Sequence, residues 1–126
     1  MNMTPKRIPI PSDLVLKVSI NDLYDKDAEP IDITDVTAIK LIFSAGGASK
    51  SFDVNPDDET QNSSGVTLVE PDGANAEDPY IIVCLCTQNL RPGQLTLRSE
   101  VSIPDTRFHN NIRKEVDEYE FPIILT

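Results

Sequence analysis

The chain has 126 residues, with 21 acidic against 11 basic side chains, one histidine and a net charge of −10. So acidic a chain lacks the basic footprint that nucleic acid or an anionic lipid surface requires; its charge suits solubility or a basic partner. At 39% hydrophobic and 25% charged residues, with ten prolines and no tryptophan, the composition predicts one globular, turn-rich domain over residues 1–126.

Met1–Pro11 has no apolar core of the secretory-signal kind, and no apolar run is long enough to cross a membrane. A protein made and kept in a cytoplasm is expected. Ile8-Pro-Ile-Pro11 reads as an extended arm (residues 1–12) or edge strand, because a residue before proline is pushed towards β or polyproline conformations. Leu14, Leu16, Val18 and Ile20 alternate with Val15, Lys17, Ser19 and Asn21, the period of a half-buried strand. A loop over Tyr24–Pro30 follows. Val36–Phe43 is then predicted as a strand with Ile39, Leu41 and Phe43 on one face and Val36, Ala38, Lys40 and Ile42 on the other; its β-branched residues favour strand over helix.

Ala45-Gly-Gly47 predicts a hairpin turn, glycine supplying the positive φ of tight hairpins. Ala48–Val54 returns as a strand, Asn55–Gly65 is a polar loop, Gly65–Glu70 a short strand, and Glu70–Pro79 an acidic loop. Tyr80-Ile-Ile-Val-Cys-Leu-Cys86 carries no charge, proline or glycine. As a strand it has two apolar faces, Tyr80, Ile82, Cys84 and Cys86 against Ile81, Val83 and Leu85. It is expected to be covered on both sides, with two small buried thiols. A strand in a two-sheet sandwich should meet water on one face, so one of these faces calls for a cover: the arm, the C-terminal hairpin or a neighbouring subunit.

Asn89–Gly93 turns the chain. Gln94–Ile103 gives the clearest alternation, with Leu95, Leu97, Ser99, Val101 and Ile103 on one face. Pro104–Asn111 is a loop tip, and Ile112–Leu125 returns with Tyr119, Phe121, Ile123 and Leu125 sharing a face. Pro122, having no N–H, belongs at an edge or a bulge. About seven strands with turns between them predict an all-β, immunoglobulin-like antiparallel β-sandwich, with a small closed barrel as the alternative.

No pattern of catalytic chemistry emerges, and no cofactor is expected. There is no Gly-x-Ser-x-Gly elbow, P-loop or dinucleotide fingerprint, and His109 stands alone among polar residues at a turn. Cys84-x-Cys86 has no further cysteine or nearby histidine to complete a metal site. Asp53, Asn55, Asp57 and Glu59 alternate like the start of a calcium loop, but Asp58 and Ser64 stand where the turn glycine and bidentate glutamate belong. The basic tip Arg107-Phe-His-Asn-Asn-Ile-Arg-Lys114 combines an aromatic with arginines, residue types that dominate interface energetics. Arg107, Phe108, His109 and Arg113 are therefore candidate partner contacts, and so are Ile81, Val83 and Leu85 if theirs is the uncovered face.

Several phrases occur in order: Glu29-Pro-Ile-Asp-Ile-Thr34, the Thr37–Phe43 strand, Gly46-Gly47, Gly65-Val66, the Tyr80 strand and Leu90-Arg-Pro-Gly93. In this order the chain resembles the immunoglobulin-like N-terminal module of phage baseplate upper proteins and similar small phage or prophage structural proteins. Those modules usually continue into a coiled coil or fibre. The resemblance implies a non-enzymatic attachment or adaptor module of a virion, assembled in the bacterial cytoplasm and contacting copies of itself or other virion proteins, with neither nucleic acid nor membrane as partner. The alternative is a module binding surface carbohydrate through Tyr24 and the acidic loops.

Overall fold

A computed structural model describes residues 4–19, 36–56, 58–69 and 80–126. Among the described residues there are eight strands: β1 (Lys6–Ile8), β2 (Asp13–Ser19), β3 (Ala38–Ala45), β4 (Ala48–Val54), β5 (Val66–Val69), β6 (Tyr80–Cys86), β7 (Gly93–Pro104) and β8 (Ile112–Leu125). They form a five-stranded sheet, β1-β8-β7-β3-β4, packed on a three-stranded sheet, β2-β6-β5. Every pairing is antiparallel except β1 with β8. With β2, β6 and β5 in the places of B, E and D, and β3, β7 and β8 in those of C, F and G, the order is immunoglobulin-like. β4 is the extra strand that variable-type domains place beside C. The all-β sandwich expected from the sequence is thus the fold observed. The strand beyond the expected seven is the N-terminal arm, which pairs at the sheet edge. The Tyr24 loop, the Glu29–Thr34 phrase and the Glu70–Pro79 loop lie outside the described residues.

The core lies between the sheets. From the large sheet come Ile39, Leu41, Phe43, Phe52, Val54, Leu95, Leu97, Val101 and Ile103, and from the small sheet Leu16, Val18, Ile81, Val83 and Leu85. Phe43 centres it, meeting Phe52 edge-on at 5.7 Å and Phe121 stacked at 6.0 Å between ring centroids. Val36 departs from its expected face. It precedes β3 and is buried, while Thr37 reaches across to β7, its N–H donating to the Ser102 carbonyl at 2.9 Å.

β6 corrects the two-sided reading. Ile81, Val83 and Leu85 are all 0% exposed and form the core face, worth about 1.5–3 kcal/mol of burial each. The opposite face points out of the sandwich: Tyr80, Ile82 and Cys86 are half-buried and Cys84 is exposed. The expected buried pair of thiols is therefore an exposed and a half-buried one. The reason is architectural. A strand in a two-layer sandwich has one interior face only, and cysteine, tyrosine and single aliphatics are tolerated on the other. β2 supplies partial shelter there, with the Lys17 ammonium 4.3 Å from the Tyr80 ring centroid.

Two turns lock together at one end. Gly46 and Gly47, both at positive φ (60° and 88°), form the two-residue loop between Ala45 and Ala48. The turn before β7 lies directly on it, with the Arg91 N–H donating to the Ala45 carbonyl at 3.3 Å. A second lock ties the switch between sheets, residues 9–12, to the end of β6. Buried Thr87 accepts from the Ser12 N–H at 2.8 Å, and both its hydroxyl (2.9 Å) and its N–H (3.0 Å) donate to the Ser12 carbonyl.

The β7–β8 ladder contains one irregularity. Gln94 pairs with Ile124 and Thr96 with Glu120, so Phe121, Pro122 and Ile123 together oppose Leu95. Pro122 thus occupies a bulge, as its missing donor predicts. The Gln94 side-chain amide donates to the carbonyls of Phe121 and Ile123, capping acceptors that the bulge releases from the ladder.

Candidate functional site: the β7–β8 hairpin

Beyond the Ala38–Ser102 pair, β7 and β8 continue as a two-stranded hairpin that ends in residues 105–111. The tip is organised by Asp105. Its carboxylate takes the Arg107 guanidinium in a bidentate pair (2.9 Å from Nε, 2.7 Å from Nη2) and accepts the Arg107 backbone N–H at 3.0 Å. Arg113 approaches the same carboxylate from β8 at 3.7 Å. Hydrogen bonds from Arg107 and then the two guanidinium charges hold the Asp105 carboxyl down at about 2, and Asp105 in turn raises the Arg107 pKa. The backbone closes over this pair with Asp105 N–H to Asn111 O at 2.9 Å and Asn111 N–H to Phe108 O at 2.9 Å. Asn110 and Asn111 supply the positive φ of the return (62° and 59°), a role asparagine accepts more readily than most side chains.

The tip gathers Arg107, Phe108, His109 and Arg113 on one hairpin and gives them different surroundings. Phe108 is 48% exposed, with the Arg107 guanidinium 6.0 Å from its ring centroid. His109 is exposed in the short 3-10 turn. Arg113 is drawn inwards, and its Nε lies 3.3 Å from Glu115 without the alignment of a hydrogen bond. Ile81, Val83 and Leu85 are not part of any surface. They sit in the core, and a partner could reach them only by opening the sandwich. Asp105 escaped the sequence reading as a functional position, although Asp105-x-Arg107 carries a signal: an aspartate that accepts the N–H two residues on is a turn former. Ile112 (46% exposed) and Val116 (45%), on the outer face of β8, were also missed.

A cleft of about 330 Å³ opens where the edge of the small sheet faces β8. Val15, Leu16 and Val18 line one wall, and Leu97, Tyr119 and Phe121 the other, with Asp117 also contributing. Val15 is 74% exposed, and Tyr119 meets Phe121 edge-on at 4.9 Å. The polar Asn55–Gly65 loop holds itself together. The Asp58 carboxylate accepts from Thr60 and Gln61, and these bonds lower its pKa. Asp57 of the calcium-like pattern lies outside the described residues. Among the described residues no three His, Cys, Asp or Glu side chains gather to hold a metal ion, and no helix is long and apolar enough to cross a membrane. Comparisons with protein-family models, curated proteins and solved structures yield no match.

Proposed function

We propose that this protein is a non-enzymatic adaptor module of a phage or prophage particle, assembled in the bacterial cytoplasm and working through protein–protein contacts. The observation that carries this reading is the braced tip, where Asp105 and Arg107 hold an exposed Phe108 in a fixed turn. A rigid aromatic beside a cation loses little entropy on docking. The resemblance noted above adds the kind of assembly. Two of its phrases, Gly46-Gly47 and Leu90-Arg-Pro-Gly93, meet in space as interlocking turns.

The test is mass spectrometry of particles purified from a host carrying the gene, together with the identity of the adjacent genes. Stoichiometric recovery with the particle, beside tail or capsid genes, is expected. Absence from the particles overturns the assignment. Alanine at Arg107, Phe108 and Arg113 should release the protein from the particle, and Phe108→Ala alone separates contact from bracing because it leaves Asp105 paired. Unchanged incorporation of the triple variant would reduce the tip to a turn.

A further inference from the structure

We infer that the free edge of β8, from Ile112 to Phe121, receives an added strand from another polypeptide in which basic side chains alternate with β-branched apolar ones. β8 is fourteen residues long and pairs with β7 along one side. On its other side β1 takes only Ile123, Ile124 and Leu125. Among the described residues no strand pairs with the remainder, so a row of ladder donors and acceptors faces outwards. Edges of this length are ordinarily shortened, bulged or covered. Here the bulge and Pro122 lie at one end. Thr126 and, by alternation, Ile124 and Pro122 point towards β1, so the missing proline N–H ends the β1 ladder and leaves the rest of the edge separate.

Three observations define the occupant. First, the same edge already accepts a basic strand: β1 is Lys6-Arg7-Ile8, with Ile8 packed on the core. Second, the free stretch Ile112–Glu120 carries Arg113 and Lys114 against Glu115, Asp117, Glu118 and Glu120. Arg113 is turned to Asp105 and Glu115, Lys114 to Glu100 and Arg98 to Glu118, while Glu120 on the outer face and Asp117 on the cleft side enter no ion pair among the described residues. Third, alternate side chains of an added strand would point towards the apolar cleft between β2 and β8, whose exposed Val15 and half-exposed Tyr119 offer them contact. The others would lie beside Glu118 and Glu120 on the outer face. Apolar inwards and basic outwards is thus the matching pattern, and the ladder supplies the affinity that strand addition draws on. This inference stands apart from the particle assignment, since it concerns the chemistry of the partner segment and not the assembly it belongs to.

The experiment titrates the full chain with a soluble peptide alternating lysine and valine, and follows amide hydrogen exchange residue by residue. Saturable slowing in 112–121, by about tenfold or more, is expected. The same peptide N-methylated at alternate residues, and one with glutamate for lysine, should give none. Glu120→Lys should weaken the lysine peptide. Three results overturn the inference: no protection at millimolar peptide, equal binding of the N-methylated peptide, or protection of these amides without peptide in a concentration-dependent dimer. The last would make a second copy the occupant. The peptide controls need no variant, so a misfolded Glu120→Lys would not blunt the test.

Discussion

Gly46 and Gly93 meet back to back. A Cβ on Gly93 would lie 2.9 Å from the Gly46 nitrogen, and one on Gly46 would lie 2.5 Å from the Pro92 carbonyl oxygen. Both obstacles are backbone, so neither can swing aside. Gly46 also has φ +60°, which an L side chain adopts at a cost. Gly46→Ala and Gly93→Ala should each destabilise by about 1–3 kcal/mol. Gly47 has open space around it, and Gly47→Asn should lose less than about 1 kcal/mol. Urea unfolding of the three variants checks the contrast.

Thr87 ties the sheet switch to the end of β6 with three hydrogen bonds to one residue, Ser12. Thr87→Val keeps the shape and removes the hydroxyl, leaving the Ser12 N–H without its acceptor. A loss of about 1–3 kcal/mol is expected, and Thr87→Ser should retain most of the wild-type stability. Chemical denaturation of the two variants decides it.

Asp105 gives the tip a defined response to acid. Its folded pKa, about 2, lies below the ordinary 3.8. Its contribution is therefore fully present above about pH 4 and is lost as pH falls towards 2. Carbon-detected NMR titration should place the Asp105 midpoint near 2. In Arg107→Ala the midpoint should rise, because the largest hydrogen bond and a neighbouring charge leave together.

The two faces of β6 should separate cleanly by chemistry. Iodoacetamide should modify Cys84 in the native protein, with Cys86 reacting more slowly. Leu85→Ala should cost about 2–5 kcal/mol and Cys84→Ala less than about 0.5 kcal/mol. Peptide mapping and thermal melts provide the readouts.

Alternation carried most of the architecture. Every second residue from Leu95 to Ile103 is buried as its spacing demands, and Pro122 occupies a bulge because its missing donor allows little else. Alternation failed on Tyr80–Cys86, where both faces are apolar. Period-2 reasoning names the faces without ranking them, and only the neighbouring sheet makes Val83 interior and Cys84 exterior. The site was legible as composition, a basic aromatic tip in an acidic chain. Its mechanics were not, since Asp105 draws on Arg113 across the hairpin as well as on Arg107 two residues away. The β8 edge was invisible for a related reason. A free edge is a property of what fails to pair, and pairing partners such as Lys6 and Ile123 lie far apart in the chain.

The parallel ladder between β1 and β8 also sets the order of events during synthesis. Ile8 cannot find its partner until Leu125 and Thr126 have left the ribosome, since the Thr126 N–H donates to the Ile8 carbonyl and the Ile10 N–H to the Thr126 carbonyl. Contacts between residues so distant in sequence are slow to form. The β7–β8 hairpin, joined by a short turn, can zip locally before them. Until then the nascent domain would present a sheet without its first strand, and that vacancy would close only with the final residues of β8.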